Sequence, residues 1–211
     1  HYIYDIINDD WRGSGDIKVS QLAQINSRYD NPIPRSSWNN LLDEWFERQL
    51  QRNETTRVII KESDILFLKV IYANTMSVKE DKGTIEYEIE HLVPFARLRD
   101  SINEEAKITH SAPKGFPISA VSNLCLLKKL VNQDKKDKTI YEYYEEQVKK
   151  EKIDPTEAHK KLREIERLSI TKSHDLDFVK SNPISRDEYT AFLRKRFVEL
   201  KDMFFKAINV E

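Results

Sequence analysis

The C-terminal stretch from Ser185 restricts the fold more than any other part of the chain. Ser185 with Glu188 forms a capping box, and Tyr189, Phe192, Leu193, Phe197, Leu200 and Phe204 follow at intervals of three and four residues. A stripe with that period occupies one side of an α-helix and has to be buried against other helices. Two similar signals precede it. Thr139 with Glu142 opens IYEYYEEQVKK, and Asp154 with Glu157, with Pro155 at the first helical position, opens PTEAHKKLREIERL. Nearer the start, SSWNNLLDEWFERQL places Trp38, Leu41, Leu42, Trp45, Phe46 and Leu50 on one stripe, with Ser36 or Ser37 as cap. DILFLKVIYAN, from Asp64, is apolar on all sides and reads as a buried helix, and Asp16 can cap a helix carrying Val19, Leu22, Ala23 and Asn26. With only 4 glycines in 211 residues and no internal repeats, the flanks read as helical.

The middle of the chain, residues 83 to 138, breaks this pattern. In IEYEIEHLVP, Ile85, Tyr87 and Ile89 alternate with Glu86, Glu88 and Glu90, which predicts a strand with one apolar and one carboxylate face. A loop of mixed charge, the turn-rich HSAPKGFP, a second apolar run AVSNLCLL and then KKLVNQDKKDK follow. The expected class is therefore α+β, mainly α with a small embedded β element. The expected organisation is a helical region over 1–82, a β-containing core over 83–153 and C-terminal helices over 154–211.

Charge and cysteine usage exclude several functions. The net charge is −1, so a nucleic-acid-binding role would need a local basic surface rather than a global one. No run approaches the ~20 apolar residues of a membrane span, and no membrane partner is expected. The single cysteine, Cys125 between Leu124 and Leu126, rules out an intrachain disulfide and a cysteine-based zinc site, and reads as a small core residue in a reducing compartment. The chain starts at His1 without a leader pattern and reads as part of a longer polypeptide.

The residues able to do chemistry fall in the middle segment. Asn123 lies 32 residues beyond His91, and Asn132 nine beyond Asn123. Strands over 85–91 and 120–127, followed by a helix from about 129, would bring Glu90, His91, Asn123 and Asn132 together. A carboxylate from Glu90 and an amide oxygen from Asn132 suit a hard, partly hydrated cation such as Mg²⁺ or Mn²⁺. His91, with an ordinary pKa near 6.5, can take a proton from water. Such a combination hydrolyses phosphodiesters. Adjacent strand residues face opposite sides, so a turn before Pro94 is needed to swing His91 towards Glu90.

The segments IEHLVP, SNLCLL and LVNQDKKDK together resemble the HNH (His-Me finger, ββα-metal) nuclease motif. More narrowly they resemble the C-terminal nuclease domain of GmrSD-type modification-dependent restriction enzymes, as does NDDWRGSGDIKV over 8–19. The resemblance implies a mainly α protein with an embedded ββα-metal element, acting as a DNA-nicking endonuclease in the bacterial cytoplasm, in defence against phage. It implies one Mg²⁺ or Mn²⁺ ion per site, double-stranded DNA as partner, and an N-terminal nucleotide-dependent sensor domain in the same polypeptide. His91 takes the position of the general base, Glu90 and Asn132 those of the metal ligands, and Asn123 that of the residue whose hydrogen bonds hold the loop carrying the base. Many relatives have Asp at the position of Glu90 and His at that of Asn132.

Phosphate contacts are expected from Lys128, Lys129, Lys135, Lys136 and Lys138, which follow the second strand, and from Arg97 and Arg99 just past the histidine. Glu86 and Glu88 read instead as a solvated strand edge, Gly13 to Gly15 as a turn, and His110, His159 and His174 as surface residues without a role. Two other functions share this pattern: a DNA-binding module that keeps the fold without activity, and a nuclease acting on RNA.

Overall fold

A computed structural model describes residues 1–10, 20, 31–73, 79–80, 83–84 and 87–209. The helix expected behind Asp16, the turn at Gly13 to Gly15 and the start of the acidic strand at Ile85 and Glu86 lie outside them. Among the described residues the α-helices are α1 (Tyr2–Ile7), α2 (Arg35–Leu50), α3 (Glu62–Tyr72), α4 (Phe95–Thr109), α5 (Lys129–Lys135), α6 (Ile140–Glu151), α7 (Pro155–Ser169) and α8 (Arg186–Ala207). Two short strands, β1 (Lys79–Glu80) and β2 (Gly83–Thr84), pair antiparallel, and so do β3 (Tyr87–His91) and β4 (Leu124–Lys128). The chain is mainly helical with a small antiparallel β component, an α+β architecture. No helix among the described residues is long and apolar enough to cross a membrane.

The aromatic stripes build the core. Phe197 of α8 stacks on Phe46 of α2 with centroids 3.9 Å apart, and Phe204 stacks on Phe67 of α3 at 4.8 Å. Trp38 meets Phe204 edge-on at 5.4 Å. Phe67, Leu42, Leu193, Leu200 and Phe204 are all fully buried, and each such side chain contributes roughly 1.5–3 kcal/mol by leaving water. The helix starts follow the capping signals closely. Thr139 Oγ1 accepts from the Glu142 N–H at 3.2 Å while Glu142 accepts from the Thr139 N–H at 2.8 Å. Asp154 accepts from the Thr156 N–H at 2.8 Å, and Ser185 from the Glu188 N–H at 3.4 Å.

Two local expectations need correction. Neither Ser36 nor Ser37 caps α2, which begins at Arg35 behind an extended Pro34. Proline has no N–H and a φ near −60° suits a helix entry, so the chain starts its turn there. The stretch after Pro94, read as a loop of mixed charge, is the 15-residue α4. It buries Leu98, Ser101 and Ile102 as a narrow stripe, and of its charged residues Arg99, Asp100 and Lys107 are exposed while Arg97, Glu104 and Glu105 are half-buried.

Candidate active site

β3, α4, β4 and α5 follow one another to form the site. The β3–β4 ladder runs in register from Tyr87 opposite Lys128 to His91 opposite Leu124. His91 is therefore still within the strand, which ends where the expected 85–91 span ends, and the chain leaves the ladder at Leu92, whose N–H reaches the Asn123 carbonyl at 2.8 Å. By alternation Glu88 and Glu90 point to one face, and His91 leaves from the other. The expected swing of His91 to the side of Glu90 is corrected accordingly. β3 pairs only with β4 among the described residues.

Asn123 is fully buried and grips the turn after His91. Its Oδ1 accepts from the Val93 N–H at 2.9 Å, and its Nδ2 donates to the Val93 carbonyl at 3.3 Å and the Ile118 carbonyl at 3.0 Å. The 3₁₀ turn carrying Asn123 (Val121–Asn123) is held in turn by helices on two sides. Gln49 of α2 accepts from the Val121 N–H at 2.6 Å, and Arg196 of α8 donates to the Ser122 carbonyl at 2.8 Å. Arg52 donates to the Ser119 carbonyl at 2.6 Å and pairs with Asp64 at 3.2 Å, while Glu54 accepts from the Ser119 N–H at 2.6 Å. Burial pushes the Asp64 carboxyl above its ordinary value, and Arg52 opposes that push. Gly115 lets this approach happen, because a Cβ there would lie 2.4 Å from the Glu54 carbonyl.

Asn123→Ala should destabilise the protein by about 2–4 kcal/mol, since Val93 and Ile118 would keep buried polar groups with no partner. Urea unfolding of the variant checks this, and a midpoint equal to the wild type would remove Asn123 from its clamping role.

His91 is half-buried, and its Nε2 is enclosed without a hydrogen-bond partner. Burial holds the imidazole below its ordinary pKa; Glu90 pulls it back up, Lys135 reinforces the lowering, and Glu54 again opposes it. A lowered pKa favours the neutral ring, the form able to accept a proton. Glu90, Lys135 and Glu54 thus all act on the charge of His91. Nothing in the pattern around Glu54 marked it as a neighbour, because it comes from a loop 37 positions earlier in the chain.

α5 covers the carboxylate face of β3. Asn132 meets Glu88 rather than Glu90, its Nδ2 donating to Glu88 Oε2 at 3.0 Å. Glu88 is consequently half-buried and engaged, a correction to its reading as a solvated edge residue. Glu90 is paired with Lys135, whose Nζ lies 2.6 Å from its Oε1. Lys135 is only 1% exposed and donates also to the Lys138 carbonyl at 3.2 Å. Lys135 is thus turned inward as the last residue of α5, not outward to a phosphate.

The other basic residues divide into engaged and exposed groups. Arg97 grips Glu142 with contacts of 3.1 Å to both carboxylate oxygens, and Lys138 pairs with Glu146. Both are held by α6, which departs from the expected phosphate-facing role. Arg99 is exposed, with Asp100 at 3.8 Å, and Lys136 is exposed just past α5. Lys128 and Lys129 are half-buried at the junction of β4 and α5. Cys125, opposite Glu90, is fully buried and its thiol is pushed up to about 12 by burial, which keeps it inert.

Glu90, Glu88 and Asn132 offer hard oxygen donors, and Glu90 already holds a cation in the Lys135 ammonium. By donor type this set fits a magnesium-sized ion, which binds through one or two carboxylates and keeps much of its water. No group of three His, Cys, Asp or Glu side chains suited to an ion gathers among the described residues.

No family model, curated protein or solved structure matches the chain. The functional reading therefore rests on this geometry and on the motif resemblance.

Proposed function

We propose that the chain is an HNH-type, divalent-metal-dependent DNA endonuclease that opens one strand at a time. The observation that supports this best is the clamp of Asn123 on both main-chain groups of Val93, two residues past His91. With α4 inserted between the strands, it fits the order of a ββα-metal element: a strand ending in histidine, a clamped turn, a second strand, then a helix.

In this mechanism the neutral His91 ring accepts a proton from water. The water oxygen forms a new bond to phosphorus, and the bond from phosphorus to the leaving sugar oxygen breaks, that oxygen gaining a proton from solvent. Asn123 fixes the turn and with it the direction of the ring. Glu90 and Asn132 would hold the ion, with Glu88 steadying the Asn132 amide. When bound, a divalent ion neutralises charge that develops on the leaving oxygen. Arg99 and Lys136 are the exposed basic residues of the expected set suited to the DNA backbone, and contacts of that kind are blind to sequence. By resemblance the chain serves as the effector of a modification-dependent restriction system in the bacterial cytoplasm. Its activity would be directed by a nucleotide-dependent sensor domain.

Supercoiled plasmid incubated with Mg²⁺ or Mn²⁺ should convert to open circles, and EDTA should stop the conversion. A chain that binds plasmid without nicking it under either ion would overturn this reading and leave the non-catalytic DNA binder. Cleavage confined to RNA would replace DNA as the substrate.

A further inference from the structure

A buried lysine in contact with a carboxylate expected to bind metal is the feature the proposed mechanism does not use. Three observations define it. Lys135 Nζ lies 2.6 Å from Glu90 Oε1, a close charge-assisted contact. The Lys135 side chain is 1% exposed, against 18% for Glu90, so the ammonium lies inside the carboxylate rather than above it. The ammonium also donates to the Lys138 carbonyl at 3.2 Å, and the Lys138 N–H returns to the Lys135 carbonyl at 3.0 Å, which anchors the end of α5 around it.

We propose that Lys135 is an internal competitor for the divalent cation: the site takes its ion only by exchanging the ammonium for it, and Lys135 thereby sets the metal requirement. The inference rests on the nuclease reading for the role of Glu90, and it concerns which cation that carboxylate holds.

The physical argument is one of charge and space. Glu90 is part-buried, and a part-buried carboxylate without a cation loses solvation that a neighbouring ammonium restores. One positive charge suffices for that, and an ammonium on the same chain is always present at high effective concentration. A hard dication bound to the same oxygen would lie against the ammonium, and like charges a few ångströms apart in a poorly solvated site repel strongly. Both cannot sit on the same oxygen, and a dication on the other oxygen would still be repelled by the ammonium. Lys135 is itself buried, but it is the last residue of α5 and is followed by the exposed Lys136, so the exchange requires movement only at the end of that helix. The ion's apparent affinity is weakened by the fraction of time the carboxylate is free of the ammonium; a site free one tenth of the time binds about tenfold more weakly.

The test measures Mn²⁺ binding to the 211-residue chain by isothermal titration calorimetry, without DNA. Lys135→Met keeps the length and apolar bulk of the side chain and removes its charge. It should bind Mn²⁺ at least about tenfold more tightly than the wild type, and adding Glu90→Gln should abolish the gain. Lys135→Arg, which keeps the charge, should bind no more tightly than the wild type. Thermal unfolding with and without Mn²⁺ provides a second readout: the ion should raise the Tm of Lys135→Met more than that of the wild type. Equal or weaker Mn²⁺ affinity in a folded Lys135→Met, or a gain that survives Glu90→Gln, would overturn the proposal. The two readings fail separately. Metal-dependent plasmid nicking by the wild type together with unchanged affinity in Lys135→Met sinks only the exchange. Tight, Glu90-dependent binding in Lys135→Met without nicking by any form sinks only the nuclease.

Discussion

Replacing His91 with alanine should reduce plasmid nicking by about 10²–10⁴-fold while leaving the protein folded, the loss typical of removing a general base. The imidazole has a position and an environment suited to that task. It ends β3, directly after Glu90, and the next residues are gripped by Asn123. Burial favours its neutral form. Stability should change little, by about 1 kcal/mol or less. The enclosed Nε2 has no partner to lose, and relief of its desolvation offsets the packing that goes with the ring. Urea unfolding and a nicking time course on the same preparation check both halves. A rate within a few-fold of the wild type would remove His91 from the chemistry whatever the fate of the other residues.

The largest expected effect on stability lies outside the site, at Arg196. This residue is 2% exposed, and its guanidinium donates to main-chain carbonyls. Its guanidinium donates to the Ser169 carbonyl at 2.8 and 3.2 Å, to the Ile170 carbonyl at 3.2 Å and to the Ser122 carbonyl at 2.8 Å. Burial pulls its pKa below the ordinary arginine value, opposed first by Tyr72 and Cys125. Arg196→Met keeps the stem and leaves three buried carbonyls unsatisfied, at roughly 1–3 kcal/mol each, set against relief of the buried charge. The net loss should be about 3–5 kcal/mol, a large share of the 5–15 kcal/mol that holds a typical domain together. Arg196→Lys should recover only part of it, because an ammonium cannot span three carbonyls as a planar fork does. Chemical denaturation of the three forms measures this. A loss under 1 kcal/mol for Arg196→Met would mean that burying the charge had cancelled its hydrogen bonds. Because Arg196 holds Ser122, the residue before Asn123, the methionine variant should also lose nicking activity at temperatures below its unfolding transition.

Legibility differed between the elements for physical reasons. The starts of α6, α7 and α8 were readable because a cap acts over three residues, through bonds between neighbours in sequence. The pairing of β3 with β4 was readable because alternation and a short apolar run are also local patterns. α4 was not, since 6 of its 15 residues are charged and its buried stripe is narrow. At the site, the clamping role of Asn123 was expected from the resemblance of its segment to the middle of the HNH motif. The partner of Asn132 was not, because Glu88 and Glu90 share a face and only the placement of α5 chooses between them. Glu54 and Arg196 carried no local signal at all, as their partners lie 65 and 74 positions away.

Local chemistry along the chain thus determined a helical protein with one small antiparallel ladder, and put a histidine, an acid and two amides in the segments that flank it. The tertiary structure alone decided how those groups are used: that Lys135 turns inward to Glu90, that Asn132 takes Glu88, and that helices from both ends hold the turn of Asn123. The reason is that a cap or a stripe is satisfied by neighbours a few residues off, whereas a long polar side chain goes wherever packing leaves an opposite charge or an unpaired carbonyl within reach.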